Sequence, residues 1–359
     1  MICYINRSTV DYDIRLQKYV QACIDTNTPY CVIGWDRVRN CSKVYPNEYQ
    51  YRAYSPYGNG LRSFFPLLGW AFFVLYHLFR QRKSYKVIHA CNIENYLVAY
   101  PAKLFGKKLV LDIYDSIESK IETEVAKACD ALILPSTHRL EEINVCRSEL
   151  KKYLEVENVP VFRTNINKKG EIEFPNIIHL SYVGVLQRRI RGIENLLSLV
   201  DKDQRFILDI AGIGDGLDDE IIELSRINKR IRYYGKVDYN TALQIMNGSN
   251  FIVALYYLSC RAHKYASPNK YYESLFLSKP VITSKGTLVG NSVLQYNTGY
   301  VIDDTKEALQ KLFSQVNTEM FKNDYIEKKR NCAHRWKNVY SSYFDKVTKG
   351  DYIQLMKSL

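Results

Sequence analysis

The segment YASPNKYYESLFLSKPVI, from Tyr265 to Ile282, places a cation and a carboxylate at helical spacing behind a loop. Ser267 and Pro268 read as a helix start, with Ser267 or Asn269 as its cap. The helix ends near Ser278, and Lys279-Pro280 leads into a strand at Val281–Thr283. A helix N-terminus offers free backbone N–H groups and a positive dipole end, which suit a diphosphate. Lys270 falls in the first turn, where a cation opposes the helix dipole, so its presence makes sense against an anion. Glu273, about one turn further in, has the reach to accept two ribose hydroxyls. The competing reading is an ordinary surface helix with a charge pair.

A second group is acidic. Asp112, Asp115 and Glu118 follow a predicted strand. One of them would orient or deprotonate a hydroxyl, with Asp112 or Asp115 favoured. Helix capping by Asp115 or Ser116 is the alternative. No divalent metal is expected at a diphosphate; its charge would fall to Lys270, Arg191 and helix dipoles. His89 ends the strand in VIHACN and either faces a ligand or is a satisfied core residue. Gly212 and Gly214 in AGIGDG follow a strand and precede a helix. They lack the third glycine and distant acid of a dinucleotide fingerprint, and read as a tight turn.

These residues need a scaffold, and short apolar runs alternate with amphipathic ones twice over. Strands are expected at Ile2–Ile5, Tyr30–Ile33, Val87–Ala90, Lys108–Ile113 and Ala131–Leu134. A second set follows at Ile177–Val183, Phe206–Ala211, Ile231–Tyr234, Phe251–Leu255 and Val281–Thr283. Helical patterns separate them, among them Ile14–Asp25, Leu61–Gln81, Asn92–Phe105, Ile193–Leu199, Leu217–Arg226 and Asn269–Leu277. The alternation implies α/β domains with parallel sheets. The polar stretch Arg163–Pro175 is the expected linker, dividing residues 1–165 from 176–339. Two such domains leave a cleft, and ligands bind beyond the carboxyl ends of the strands. The tail from Asp324 to Leu359 reads as helical, with Trp336, Tyr340 and Phe344 on one face.

Composition sets the outer bounds. The 359 residues carry a formal charge of +12, with 47% hydrophobic and 25% charged residues, as in a globular chain. Residues 1–111 hold 15 Lys and Arg against 6 Asp and Glu, so the excess is concentrated early. An anionic partner or mere solubility accounts for this. No long Lys/Arg run and no recognised motif point to nucleic acid. Nine scattered cysteines without a CxxC pair fit free thiols in a reducing cytosol. The start MICYINRSTVDYD carries no signal-peptide pattern, so a cytoplasmic location is expected. Phe64–Phe79 is shorter than the ~20 residues a spanning helix needs. With RQRK behind it, this stretch fits either a buried helix or an in-plane contact with the inner membrane surface.

SPNKYYESLFLSKPVI resembles the C-terminal signature of retaining glycosyltransferases of family 4, also called group 1. Further resemblances follow in order: YDIRLQKYVQAC, with Asp13 and Arg15, then KVIHACN, KKLVLDIYDSIE, ACDALILPS, VENVP, HLSYVGVLQRRIRGIENLL, LDIAGIGDG, IRYYGKVDY and NGSNFIVALYY. The resemblance covers nearly the whole chain. It implies a GT-B fold, with two Rossmann-like domains facing a cleft and final helices, about residues 340–359, crossing back to the first domain. It implies Lys270 and Arg191 on the diphosphate of a nucleotide sugar and Glu273 on its ribose. Donor contacts would come from Asn269, Ser267, Tyr265, Gly184, Arg188, Arg189, Gly212 and Lys236. Arg15, His89 and Glu118 would lie on the acceptor side, with Asp112 or Asp115 as the reacting acid. The chain departs from the pattern at several places, including Ala266 and Pro268 in place of the usual Gly pair and Asn6-Arg7-Ser8 where many relatives have Gly-Gly. Tyr265 stands where the family has its first Glu, Val185 follows Gly184 where the family has Arg, and Arg191 replaces the usual Lys. A guanidinium binds two phosphate oxygens in a planar fork, so that exchange is chemically workable.

The implied activity is retaining transfer of a hexosyl unit from a UDP- or GDP-sugar, without a metal or other cofactor. The acceptor would be a saccharide on a polyprenyl diphosphate, in capsule or O-antigen assembly. A nucleotide-sugar epimerase or synthase on the same fold, and a non-catalytic scaffold of a polysaccharide assembly complex, are the alternatives.

Overall fold

The computed structural model describes the chain except residues 11–12, 38, 40–41, 56–59, 163–165, 167–173 and 215, and the side chains of residues 60–63. The chain divides into two compact units, one of Met1–Val161 with Ser342–Leu359 and one of Phe162–Ser341. The linker expected over residues 163–175 lies largely outside the described residues.

The first unit is a seven-stranded parallel sheet. Its strands are β1 (Ile2–Asn6), β2 (Tyr30–Asp36), β3 (Glu48–Arg52), β4 (Val87–Cys91), β5 (Lys108–Asp112), β6 (Ala131–Leu134) and β7 (Tyr153–Glu155). They lie in the order β3-β2-β1-β4-β5-β6-β7. Strands β1 and β4 are buried along their whole length, which explains why they are mostly apolar: helices cover both faces. The helices are α1 (Ile14–Asp25), α2 (Gly60–Arg80), α3 (Ile93–Ala99), α4 (Lys120–Ala128) and the short α5 (Arg139–Glu142). Asp13 caps α1 by accepting from the Leu16 N–H at 2.8 Å, and Asn6 Nδ2 holds the other Asp13 oxygen at 2.6 Å.

The second unit is a six-stranded parallel sheet of β8 (Ile178–Val183), β9 (Phe206–Ala211), β10 (Ile231–Tyr233), β11 (Phe251–Ala254), β12 (Val281–Ser284) and β13 (Gly299–Ile302). Their order is β10-β9-β8-β11-β12-β13. Around it pack α6 (Ile193–Lys202), α7 (Leu217–Ile227), α8 (Tyr239–Gly248), α9 (Asn269–Leu277), α10 (Leu288–Tyr296), α11 (Lys306–Ser314) and α12 (Glu319–Arg335). Two Rossmann-like units with parallel sheets are what the strand–helix alternation predicts.

After α12 the chain winds through π-helical turns at Trp336–Tyr340 and Phe344–Tyr352 and ends in α13 (Ile353–Lys357). Tyr352, Ile353 and Met356 bury themselves beside Tyr4, Tyr19 and Val20 of the first unit. The C-terminal segment therefore crosses back, as expected. Its aromatic face is divided, however. Trp336 packs on Phe162 and Phe276 of the second unit and Tyr340 on Tyr272, whereas Phe344 joins the core of the first. The wide turns between them break the regular helical spacing on which a single face depends.

Candidate functional site

In the second unit β8 is flanked by β9 on one side and β11 on the other, so the strand order reverses between β8 and β11. The carboxyl ends of these two strands form the switch point where open α/β sheets bind ligands. Lys270, Arg191 and Glu273 gather there.

Helix α9 starts behind Pro268, which occupies the cap position without a side-chain hydrogen bond to the helix. The expected capping by Ser267 or Asn269 is thereby corrected. Asn269 is the first helical residue, and the Ser267 Oγ instead lies 3.3 Å from the Tyr272 hydroxyl. A helix N-terminus presents unsatisfied backbone N–H groups to an anion. Lys270 donates from Nζ to the Val183 carbonyl at the end of β8, at 2.7 Å. Its ammonium also lies over two rings, 5.0 Å from the centre of Tyr182 and 5.9 Å from Tyr256. The Arg191 guanidinium lies over the same Tyr256 ring at 4.3 Å, with Nε donating to Gln187 at 2.9 Å. Two cations thus converge on one aromatic bed. Burial, and then the neighbouring Arg191 charge, push Lys270 down to about 8. Two like charges held together in a half-buried place are poised for an anion.

Glu273 is 4% exposed. Burial raises its carboxyl to about 7, offset in part by Lys270 and by the Tyr239 hydroxyl. That hydroxyl neighbours the carboxyl but closes no hydrogen bond of good geometry with any described residue. Glu273 lies one helical turn behind Lys270 on α9.

The backbone around the cations is pressed close. The N–H of Gly184 donates to Ala211 and that of Gly212 to Gly235. A Cβ on Gly212, at φ +141, would sit 1.8 Å from the Gly184 carbonyl oxygen, so the loops after β8 and β9 touch at a distance only glycine allows. Arg188 is held in an ion pair with Glu220 at 2.7 Å, and Arg189 is exposed at φ +63 with its N–H bonded to Glu194. Lys236 is exposed. The Tyr265 ring lies under Lys264 at 4.8 Å. Of the donor-side candidates, the structure brings Lys270, Arg191, Glu273, Gly184 and Gly212 together. Tyr182, Tyr256, Gln187 and Tyr239 were not foreseen. Tyr182 and Tyr256 sit at the ends of buried apolar runs, where nothing in sequence marks them as a bed for cations.

In the first unit Arg15, Asp112 and His89 meet, but inside the core. Arg15 contacts both Asp112 oxygens, with Nη2 at 2.7 Å and Nε at 3.0 Å, and its Nη1 donates to Val156 O and Asn158 Oδ1. His89 Nε2 is 3.3 Å from Asp112 and its Nδ1 is 2.9 Å from the Tyr352 hydroxyl, which donates to Tyr4. Asp112 has no exposed surface, and the Arg15 charge and the His89 hydrogen bond outweigh burial to hold it down at about 2. The expectation of Asp112 as a proton acceptor is corrected: its carboxylate ties α1, β4, β5 and the returning C-terminus together. Asp115 is open, its side chain 90% exposed and 3.9 Å from Arg139. Glu118 is exposed at φ +48. Neither caps α4, since Ser119 accepts from Glu122 N. Among the described residues, no group of three His, Cys, Asp or Glu side chains is placed to hold a metal ion.

No protein-family model and no curated protein sequence matches the chain. Solved structures do. Sucrose-phosphate synthase from Thermosynechococcus elongatus is similar with a TM-score of 0.69 at 14% identity, covering 100% of this chain and 99% of that one. The Anabaena protein HepE, in complex with UDP and glucose, gives 0.70 at 15% identity with the same coverage. WaaG, a glycosyltransferase involved in lipopolysaccharide biosynthesis, gives 0.68 at 11% identity, covering 97% and 98%. The chain has the GT-B fold. That likeness extends over the whole length of each chain.

Proposed function

We propose that the protein transfers a hexosyl unit from a UDP- or GDP-sugar to a saccharide acceptor, with retention at the anomeric carbon. The observation that carries this reading is the convergence of Lys270 and Arg191 over the Tyr256 ring at the switch point, with Glu273 buried one turn behind. The cations and the N-terminus of α9 suit a diphosphate, and Glu273 suits a ribose diol. The resemblance of SPNKYYESLFLSKPVI to the family 4 signature, and the UDP and glucose bound by HepE, support it.

In this scheme the bond from the anomeric carbon to the diphosphate breaks as the bond to the acceptor oxygen forms on the same face. The acceptor proton passes to the departing diphosphate oxygen. Lys270 and Arg191 meet the negative charge that develops on the leaving group, so they accelerate the step as well as bind the donor. No metal takes part. The acceptor is a saccharide on a polyprenyl diphosphate, in surface polysaccharide assembly, with Asp115 at the acceptor hydroxyl.

Calorimetric titration with UDP, GDP and their sugars tests the donor, and release of nucleoside diphosphate tests the transfer. The reading expects release only when acceptor is present, and unchanged turnover in EDTA. Release without acceptor would favour a synthase or epimerase-like reaction. Absence of any nucleotide binding would leave the scaffold role instead.

A further inference from the structure

Helix α2 is apolar on every side, yet one side faces solvent. Trp70, Val74 and Leu78 are buried on the sheet. Opposite them Phe65 is 79% exposed and Phe72 72%, with Leu68, Tyr76 and Phe79 also exposed along the same face. From Phe64 to Phe79 the sequence has no Asp, Glu, Lys or Arg. A helix that is hydrophobic all round belongs in an interior, so this face lacks its covering.

The apolar surface continues onto the next turn of chain. Phe79 meets the Phe105 ring at 6.0 Å, and Leu104 beside it is 86% exposed. A groove of about 430 Å³ is lined by Tyr96, Leu97, Tyr100 and Ile121, with Lys120 and Glu124 as its charged members. Cations border the α2 face. Between Leu61 and Lys108 there are eight Lys and Arg and a single acid, Glu94, which pairs with Arg7 at 3.3 Å. Arg80 donates to the Tyr76 hydroxyl, and Arg82 lies over the Phe79 ring at 4.3 Å. The cations at the C-terminal end of α2 thus sit at the border of the aromatic face.

Aromatic rings on one face with Arg and Lys beside them match the boundary between acyl chains and anionic headgroups. No described helix is long and apolar enough to cross a membrane. We propose that α2 and the Tyr100–Phe105 turn lie in the plane of an anionic lipid bilayer, with Phe65, Phe72 and Leu104 in the acyl region and Arg80, Arg82 and Lys83 on the headgroups. A protein partner or second copy would not call for the one-signed charge along this border, whereas an anionic surface does.

Sedimentation with vesicles decides this. The protein should pellet with vesicles of phosphatidylglycerol and phosphatidylcholine, and far less with phosphatidylcholine alone or at high salt. The double variant Phe65→Ser with Phe72→Ser should lower partitioning by about tenfold or more, because two exposed rings are lost. Arg80→Glu with Arg82→Glu should lower it on anionic vesicles. Both variants should keep the thermal transition and the UDP affinity of the unaltered protein, since the surface is remote in sequence and unit from α9. Failure to pellet with anionic vesicles, or equal pelleting by the Phe variant, would overturn the proposal. So would a dimer in light scattering that the Phe variant abolishes without any vesicle binding. Nucleotide binding is read separately, so the two readings fail independently.

Discussion

A Cβ built on Gly184 would stand 2.7 Å from Lys270 Nζ, and Gly184 itself holds φ +144. The glycine is what lets the ammonium reach the end of β8. Gly184→Ala should therefore cost about 1–3 kcal/mol in backbone strain and push Lys270 off Val183. Donor affinity should fall by roughly tenfold or more, read by calorimetry with UDP, while the melting profile stays cooperative. Unchanged affinity would show that the position of Lys270 does not matter.

Lys270→Ala and Arg191→Ala each remove a charge that we propose meets the diphosphate. A charge-assisted hydrogen bond is worth about 1.5–3 kcal/mol, so UDP binding should weaken by roughly 10- to 100-fold in each. Turnover should fall further than affinity, because the charge grows in the transition state. The two cations share the Tyr256 ring, so their effects should be non-additive in a double-mutant cycle. Strict additivity in binding and kcat would separate them.

Glu273→Gln should lower affinity for UDP more than for inorganic diphosphate, because only the nucleotide offers ribose hydroxyls. Equal losses for both ligands would place Glu273 elsewhere.

Donor binding should depend on pH in a stated direction. Lys270 titrates near 8, and a diphosphate binds its charged form, so affinity should fall as pH rises through 8, with proton uptake on binding. Burial raises Glu273 to about 7, and its ionised form is the one proposed to accept from the ribose, so affinity should also fall as pH drops below 7. Calorimetry in buffers of different ionisation heat measures the protons taken up. A flat profile from acid to alkali would count against both assignments.

Asp112 and Asp115 should behave oppositely on substitution. Asp112→Asn leaves Arg15 without its counter-charge in the core and should cost roughly 3–5 kcal/mol of stability. Its depressed titration means the stabilisation is present above the unfolded carboxylate value near ~4 and is lost as pH falls toward about 2. Asp115→Asn should change stability by less than about 0.5 kcal/mol, since the side chain is exposed. Turnover with acceptor should fall while UDP affinity holds. Chemical denaturation and steady-state kinetics distinguish the two.

How far each residue could be read from sequence follows from the range of the forces acting on it. The strands β1, β2, β4 to β6, β8, β9, β11 and β12 are written as apolar runs because both faces are buried, and that demand is local. The edge strands β3 and β7 are half exposed and carry no such run, and the edge strand β13 is only four residues long and opens on Gly299, so all three escaped notice. Lys270 and Glu273 were legible because a cation in a first helical turn is locally unfavourable, and the helix that carries them is continuous in sequence. Asp112 and Asp115 are three residues apart and alike in type. Only the fold separates them, because the partner that captures Asp112 is Arg15, which the α1 and β5 packing brings from 97 residues away. The Tyr256 bed under Lys270 and Arg191, and the side of α2 left to solvent, were decided in the same way. Helical periodicity shows that a side chain is apolar, and burial depends on which other elements arrive to cover it.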